Sequence, residues 1–147
     1  MKFDQILKKL PYQRPFLFVD ALNELNENGV TGSYRFPEDS DFYSGHFINA
    51  PVTPGVILTE CCAQIGVVCL GLFLLEDSNL ENLKIGMSSS EMEFYTPVFP
   101  NERVKVISEK VYFRFNKLKC NVKMFNEKEE LVCKGTLAGM FKTAHNE

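Results

Sequence analysis

The sequence predicts a single α+β domain in which a curved antiparallel sheet wraps one long apolar helix. Three observations carry that prediction. Residues 56–75 form a nearly continuous apolar run, long enough for a helix without a hydrated face. Many of the remaining apolar residues fall in alternating segments, the period-two pattern of strands with one buried side. The order is a short helix, two strands, the long helix and about four more strands, with no repeat or linker between them.

Each element has a local reason. Phe3, Ile6, Leu7 and Leu10 recur at helical spacing, and Pro11 and Pro15 stop that helix. Phe16, Leu17, Phe18 and Val19 read as a buried strand running into a polar edge. Asn26, Glu27, Asn28 and Gly29 supply a turn, and residues 30–36 alternate, so the two strands are expected to form a hairpin. Residues 37–54 have no period and hold Pro37, Gly45, Pro51 and Pro54; connections of that length are often functional. Gly55 then opens the long helix, and residues 76–82 are a polar link. Residues 84–94 suggest a strand broken around Ser88, Ser89 and Ser90, and Pro97 and Pro100 mark a turn. Val104, Val106, Val111, Phe113 and Phe115 predict a long strand with an apolar face. Leu118, Cys120, Val122 and Met124 predict another over residues 117–125; a turn at 126–130 leads into the last strand, 131–141. Residues 142–147 read as a frayed polar tail.

Bulk properties narrow the function classes. The chain has 147 residues, 45% hydrophobic and 24% charged, which suits one domain with a real core. A net charge of −3 without a dense Lys/Arg block argues against a nucleic-acid partner. The five cysteines (Cys61, Cys62, Cys69, Cys120 and Cys133) form no CxxC pair, and there are only two histidines, so no metal site or cofactor is expected. Buried free thiols in a reducing compartment fit them better. The first ten residues lack a signal-peptide core, so a cytoplasmic protein is expected. Residues 56–75 could span a bilayer by length, but they contain Glu60 and Gln64 and lack basic flanks, which favours a soluble core helix.

Two residues stand out chemically. His46 sits in Gly45-His46-Phe47, within the long loop and just before the helix; His145 lies in the tail and reads as a solvated side chain. Glu60 lies one turn into the helix among Val56, Ile57, Leu58, Cys61 and Cys62. Lost solvation raises the pKa of such a carboxyl group, so it can donate a proton near neutral pH. Gln64 follows four residues later, on the same face, where its amide can either orient the carboxyl group or satisfy backbone at the core edge. Pro54 and Gly55 begin the helix, whose free N–H groups can polarise a carbonyl. Phe47 and Val56 flank these groups and are candidate substrate contacts. The set suits proton abstraction next to a carbonyl, with His46 as base and Glu60 as the acid that protonates a leaving hydroxyl.

The chain resembles the 3-hydroxyacyl-[acyl-carrier-protein] dehydratases of type II fatty-acid synthesis, which have the hot-dog fold. The residues that carry the resemblance are Leu10-Pro11, Pro15 to Asp20, Gly45-His46-Phe47, Pro51 to Val56, Glu60, Ala63-Gln64, and Phe94 with Pro97 to Pro100. The resemblance implies dehydration of a 3-hydroxyacyl thioester to a trans-2-enoyl thioester. It implies acyl carrier protein as partner, and a homodimer or a trimer of dimers. It places His46 of one subunit opposite Glu60 of its neighbour, with the Gly55 N–H on the thioester carbonyl. Relatives that also isomerise the double bond tend to carry Asp at the helix position, so Glu60 points to dehydration alone. The chain departs from the family pattern at Ile48-Asn49, where Pro-Gly is common, at Tyr12-Gln13-Arg14, where His-Arg is usual, and at Ser88 to Ser90. These departures bear on tunnel shape and carrier docking, and leave a polyene or polyketide-like pathway open beside fatty-acid synthesis. Two other readings stand: a hot-dog thioesterase that uses the helix carboxylate without His46, and a non-catalytic acyl-binding subunit of a hot-dog heterodimer.

Overall fold

A computed structural model of the chain describes residues 2–78 and 80–143. His145 and the end of the predicted tail lie outside the described residues. Helix α1 (Lys2–Lys9) buries Ile6 and packs Phe3 and Leu7 partly against the core, as its spacing predicts. Strands β1 (Ala21–Asn26) and β2 (Gly29–Arg35) form the expected hairpin. Residues 16–19 are not a strand, contrary to the reading of their apolar run. The Phe18 N–H donates to the Gln64 side chain at 2.8 Å, and pairing begins only at Asp20, whose N–H donates to the Ser33 carbonyl at 2.8 Å. Phe18 and Val19 are buried all the same.

Four further strands follow the helix: β3 (Lys84–Phe94), β4 (Arg103–Arg114), β5 (Lys117–Phe125) and β6 (Leu131–Lys142). They complete a six-stranded sheet ordered β1-β2-β4-β5-β6-β3, with antiparallel neighbours throughout. β3 runs unbroken through its serines. A bulge between Met87 and Ser89 absorbs the irregularity read there as a break. Phe115 was expected on the apolar face of β4, but it sits at the tip of the β4–β5 turn, 93% exposed with φ of 52°. β6 continues through Lys142, and Thr143 is buried, so the chain end is held further than its polarity predicts.

The core helix runs from Gly55 to Leu74 as α2 (Gly55–Ala63), a π-helical stretch (Gln64–Cys69) and α3 (Leu70–Leu74). It is long and apolar enough to cross a membrane, yet 72% of its most apolar stretch is buried inside the fold. The sheet curves around it, the hot-dog arrangement. Close approach needs a small residue where helix and sheet meet: a Cβ on Gly71 would overlap the Phe141 ring. In the π-helical stretch, the Ser108 hydroxyl donates to the Gly66 carbonyl at 2.9 Å, which binds the wide turns to β4. All five cysteines are free and buried, and burial pushes the Cys69 thiol up to about 12.

Candidate active site

The long loop folds back on itself to present His46. A 3-10 turn (Asp41–Ser44) buries Tyr43, whose hydroxyl meets the Thr53 hydroxyl at 2.6 Å. The Thr53 N–H donates to the Val98 carbonyl at 2.8 Å, and the Val52 N–H to the His46 carbonyl at 2.8 Å. The loop is thus cross-linked to itself and anchored through Thr53 to the buried Val98. The His46 Nδ1 lies 2.8 Å from the Val52 carbonyl oxygen. A carbonyl can only accept, so Nδ1 carries the hydrogen, and in the neutral ring Nε2 keeps its lone pair. Phe47 stacks on the imidazole at 3.9 Å between ring centroids. Ile48 and Asn49 form the tip of a tight turn in which Phe47 and Ala50 exchange hydrogen bonds at 2.9 Å, with Asn49 at φ of 58°.

Glu60 projects from the second turn of α2 and is half-buried. Burial pushes its carboxyl group above the ordinary range, and a hydrogen bond from Gln64 Nε2, 3.0 Å from Oε2, opposes that rise. Gln64 itself is fully buried. Its Nε2 also donates to the Phe16 carbonyl at 3.0 Å, while its Oε1 accepts the Phe18 N–H. The amide therefore has no donor left for a substrate. It ties the residue 16–18 segment and the Glu60 carboxylate to one point, which explains why that apolar segment does not join the sheet.

The helix start offers a second polar feature. Pro54 caps α2 with extended backbone, and the N–H groups of Gly55 and Val56 have no protein partner among the described residues. The Phe94 ring lies across Gly55, 3.3 Å from where a Cβ would stand. Val56 is 75% exposed at the start of an otherwise apolar and buried helix.

A cavity of about 250 Å³ opens beside Glu60. Tyr12, Phe16, Ala63, Val67, Ile85 and Met87 are among its walls. His46, Phe47, Pro54, Gly55 and Val56 are not among its walls, so within one chain this cavity is lined by the carboxyl group and not by the imidazole. Tyr12 is the residue that sequence reasoning missed as a site component. Its only signal was its departure from the His of the family pattern. Burial, with the nearby Glu60 charge second, pushes its hydroxyl up to about 12, so the phenol stays neutral and able to donate. Among the described residues, no group of three or more His, Cys, Asp and Glu could hold a metal ion.

A half-buried acid on the core helix of this fold and a histidine held in the loop before it accompany a family match: the FabA-like domain family matches residues 10–137, and this chain belongs to it. The 3-hydroxyacyl-[acyl-carrier-protein] dehydratase FabZ of Petrotoga mobilis is 32% identical over 133 residues, covering 90% of this chain and 91% of the relative. The FabZ of Clostridioides difficile is 30% identical over 138 residues, covering 93% and 94%. Among solved structures, the dehydratase heterocomplex ApeI:P from Xenorhabdus doucetiae superposes with a TM-score of 0.78 at 10% identity, over 96% of this chain and 93% of that one. A hypothetical thioesterase from Streptococcus pneumoniae, solved with coenzyme A, gives 0.60 at 14% identity, over 83% and 84%. At those identities the structures speak to the fold.

Proposed function

We propose that this chain is a 3-hydroxyacyl-[acyl-carrier-protein] dehydratase, a hydro-lyase that converts the 3-hydroxyacyl thioester to the trans-2-enoyl thioester and water. The observation that carries the mechanism is the hydrogen bond between His46 Nδ1 and the Val52 carbonyl, which fixes the tautomer with a basic Nε2. In the reaction, Nε2 removes a proton from C2 of the thioester. Negative charge moves onto the thioester oxygen, which the Gly55 N–H and the positive end of α2 stabilise. The C3–O bond breaks as the Glu60 carboxylic acid gives its proton to the leaving hydroxyl. The products are water and the C2=C3 double bond, with His46 left protonated and Glu60 ionised. Return of the proton from His46 to Glu60, directly or through water, restores the starting state. Gln64 orients the Glu60 carboxyl group, and Phe47, Pro54 and Val56 line the approach.

The pair meets across two subunits. β3 stands at the end of the strand order with β6 on one side, so its other side can meet a second copy. Val56, Phe94 and Tyr95 are exposed apolar groups on or near it, suited to burial in a homodimer, alone or as one pair of a trimer of dimers. His46 of one subunit then faces Glu60 of the other. The buried free thiols fit a cytoplasmic setting. The acyl thioester comes from acyl carrier protein, the substrate carrier in the names of the FabZ relatives.

Incubation with 3-hydroxybutyryl and 3-hydroxyoctanoyl thioesters tests this, with the enoyl product followed by its ultraviolet absorbance. Wild type should form it, and His46→Ala and Glu60→Gln should each lose about 10²–10⁴ of the rate. Full activity in either variant would remove its residue from the mechanism. Free thiol in place of enoyl product would turn the reading towards a thioesterase.

A further inference from the structure

Two polar side chains line the cavity beside the core helix, Glu60 and Tyr12; the rest of the lining is apolar side chain or glycine. One amide fixes how the two stand to each other. Gln64 Nε2 donates to Glu60 Oε2 and to the Phe16 carbonyl, at 3.0 Å each. A turn joins Phe16 to Tyr12: the Phe16 N–H donates to the Gln13 carbonyl at 2.9 Å, and the two rings lie 6.4 Å apart. The phenol is thus anchored through the same side chain that orients the carboxyl group. The Tyr12 hydroxyl is close enough to feel the Glu60 charge, yet it makes no hydrogen bond to any described residue. Glu60 Oε1 is likewise without a partner among the described residues. Oε2 already accepts from Gln64, so the acid hydrogen of protonated Glu60 sits on Oε1. Two O–H donors with nothing to donate to therefore share one largely apolar cavity. An unused hydroxyl there costs free energy that a phenyl ring would not cost.

We propose that Tyr12 is a further catalytic residue, whose hydroxyl donates a hydrogen bond to the departing 3-hydroxyl oxygen of the substrate while Glu60 protonates that same oxygen. The proposal rests on the dehydratase reading and adds a second donor to its leaving-group step. A hydroxyl oxygen has two lone pairs, so it can accept from Tyr12 and from Glu60 Oε1 together. As the C3–O bond breaks, its electron pair stays on oxygen, and the proton on Oε1 moves to that oxygen. Water forms, Glu60 is left ionised, and the electrons of the C2–H bond become the C2=C3 double bond as His46 takes the proton. Tyr12 keeps its own hydrogen throughout. Its hydroxyl, pushed up to about 12, does not ionise at neutral pH even with the Glu60 charge beside it. The bond it donates strengthens as negative charge gathers on the oxygen, so it favours the transition state over the bound substrate.

The test is Tyr12→Phe in the full chain, which removes one oxygen and keeps the ring. Three quantities are measured beside wild type: kcat for dehydration of 3-hydroxybutyryl-CoA across pH, calorimetric affinity for butyryl-CoA, which lacks the hydroxyl, and the unfolding midpoint. The variant should lose roughly tenfold in kcat, the worth of one net hydrogen bond in the transition state. Its affinity for butyryl-CoA should be unchanged. Its midpoint should equal or exceed that of wild type, because the oxygen removed has no protein partner. The alkaline limb of its pH–rate profile should stay in place, since the lost bond was to substrate. An undiminished kcat would overturn the proposal, as would a lowered midpoint or an equal loss of butyryl-CoA affinity, either of which makes the hydroxyl structural. An alkaline limb displaced to higher pH would also overturn it, by showing that Tyr12 acts through the Glu60 carboxyl group. Wild type without enoyl product would sink the dehydratase reading itself; an active wild type with an equally active Tyr12→Phe would sink the second donor alone.

Discussion

Replacing Gln64 with methionine keeps the side chain's length and removes all three of its hydrogen bonds. The consequences can be sized from the partners left behind. Phe18 is 3% exposed, so its N–H has little access to water and bears most of a buried-donor penalty of about 1–3 kcal/mol. Phe16 is 46% exposed, so its carbonyl can turn to solvent at little cost. Glu60 loses the hydrogen bond that opposed the effect of burial, so its carboxyl group should rise further. A net loss of about 2–3 kcal/mol follows, or roughly 4–12 °C in the unfolding midpoint of a domain this size. Circular dichroism is the suitable probe, because the chain contains no Trp. The second readout is the pH–rate profile: with Glu60 acting as the acid, activity falls on the alkaline side as its proton is lost, and that limb should move to higher pH in Gln64→Met. An unchanged midpoint together with an unchanged alkaline limb would refute the role given to this amide.

Other perturbations separate stability from catalysis. Burial raises the Glu60 pKa above its unfolded value, so the folded chain is unpenalised while the group is protonated and loses stability as pH rises from about 4 through the raised value. Glu60→Gln should therefore unfold at a higher temperature than wild type at neutral pH, and melting curves should converge near pH 4. Gly55→Ala places a methyl 3.3 Å from the half-exposed Phe94 ring, which can yield; catalytic efficiency should fall at least roughly tenfold with little change in unfolding midpoint, since the methyl crowds the carbonyl site. Gly71→Ala drives a methyl into the fully buried Phe141 ring and should cost about 1–3 kcal/mol in denaturant unfolding. Val56→Asp puts a charge on the proposed subunit contact and should shift light-scattering mass towards the monomer.

Much of the fold was legible where a pattern was local. The core helix announced itself by length and apolarity, and β5 by strict alternation through Leu118, Cys120, Val122 and Met124. Residues 16–19 misled because their hydrogen-bond partner, Gln64, lies more than forty positions away. Nothing in a local window distinguishes an apolar segment held by a side-chain amide from one held by a neighbouring strand. The serines of β3 looked like a break, since polar residues weaken the strand pattern, but a bulge at an exposed sheet edge accommodates them. The same limit applied to the site. His46 and Glu60 stand out as candidates by residue type and surroundings, and the structure adds what spacing could not: the Val52 carbonyl on Nδ1 and the saturated amide of Gln64. Tyr12 joins the Glu60 cavity only through the packing of the N-terminal segment across the helix, which no periodicity reveals.

A mixing experiment tests the shared site most directly. His46→Ala and Glu60→Gln proteins, each nearly inactive alone, are unfolded together and refolded as random dimers. Half of the dimers then pair one variant with the other, and each of those holds one site with both an imidazole and a carboxyl group. Recovery of about a quarter of wild-type dehydratase activity is the predicted result. A mixture that pairs, as shown by mass, and stays as inactive as its components would contradict it.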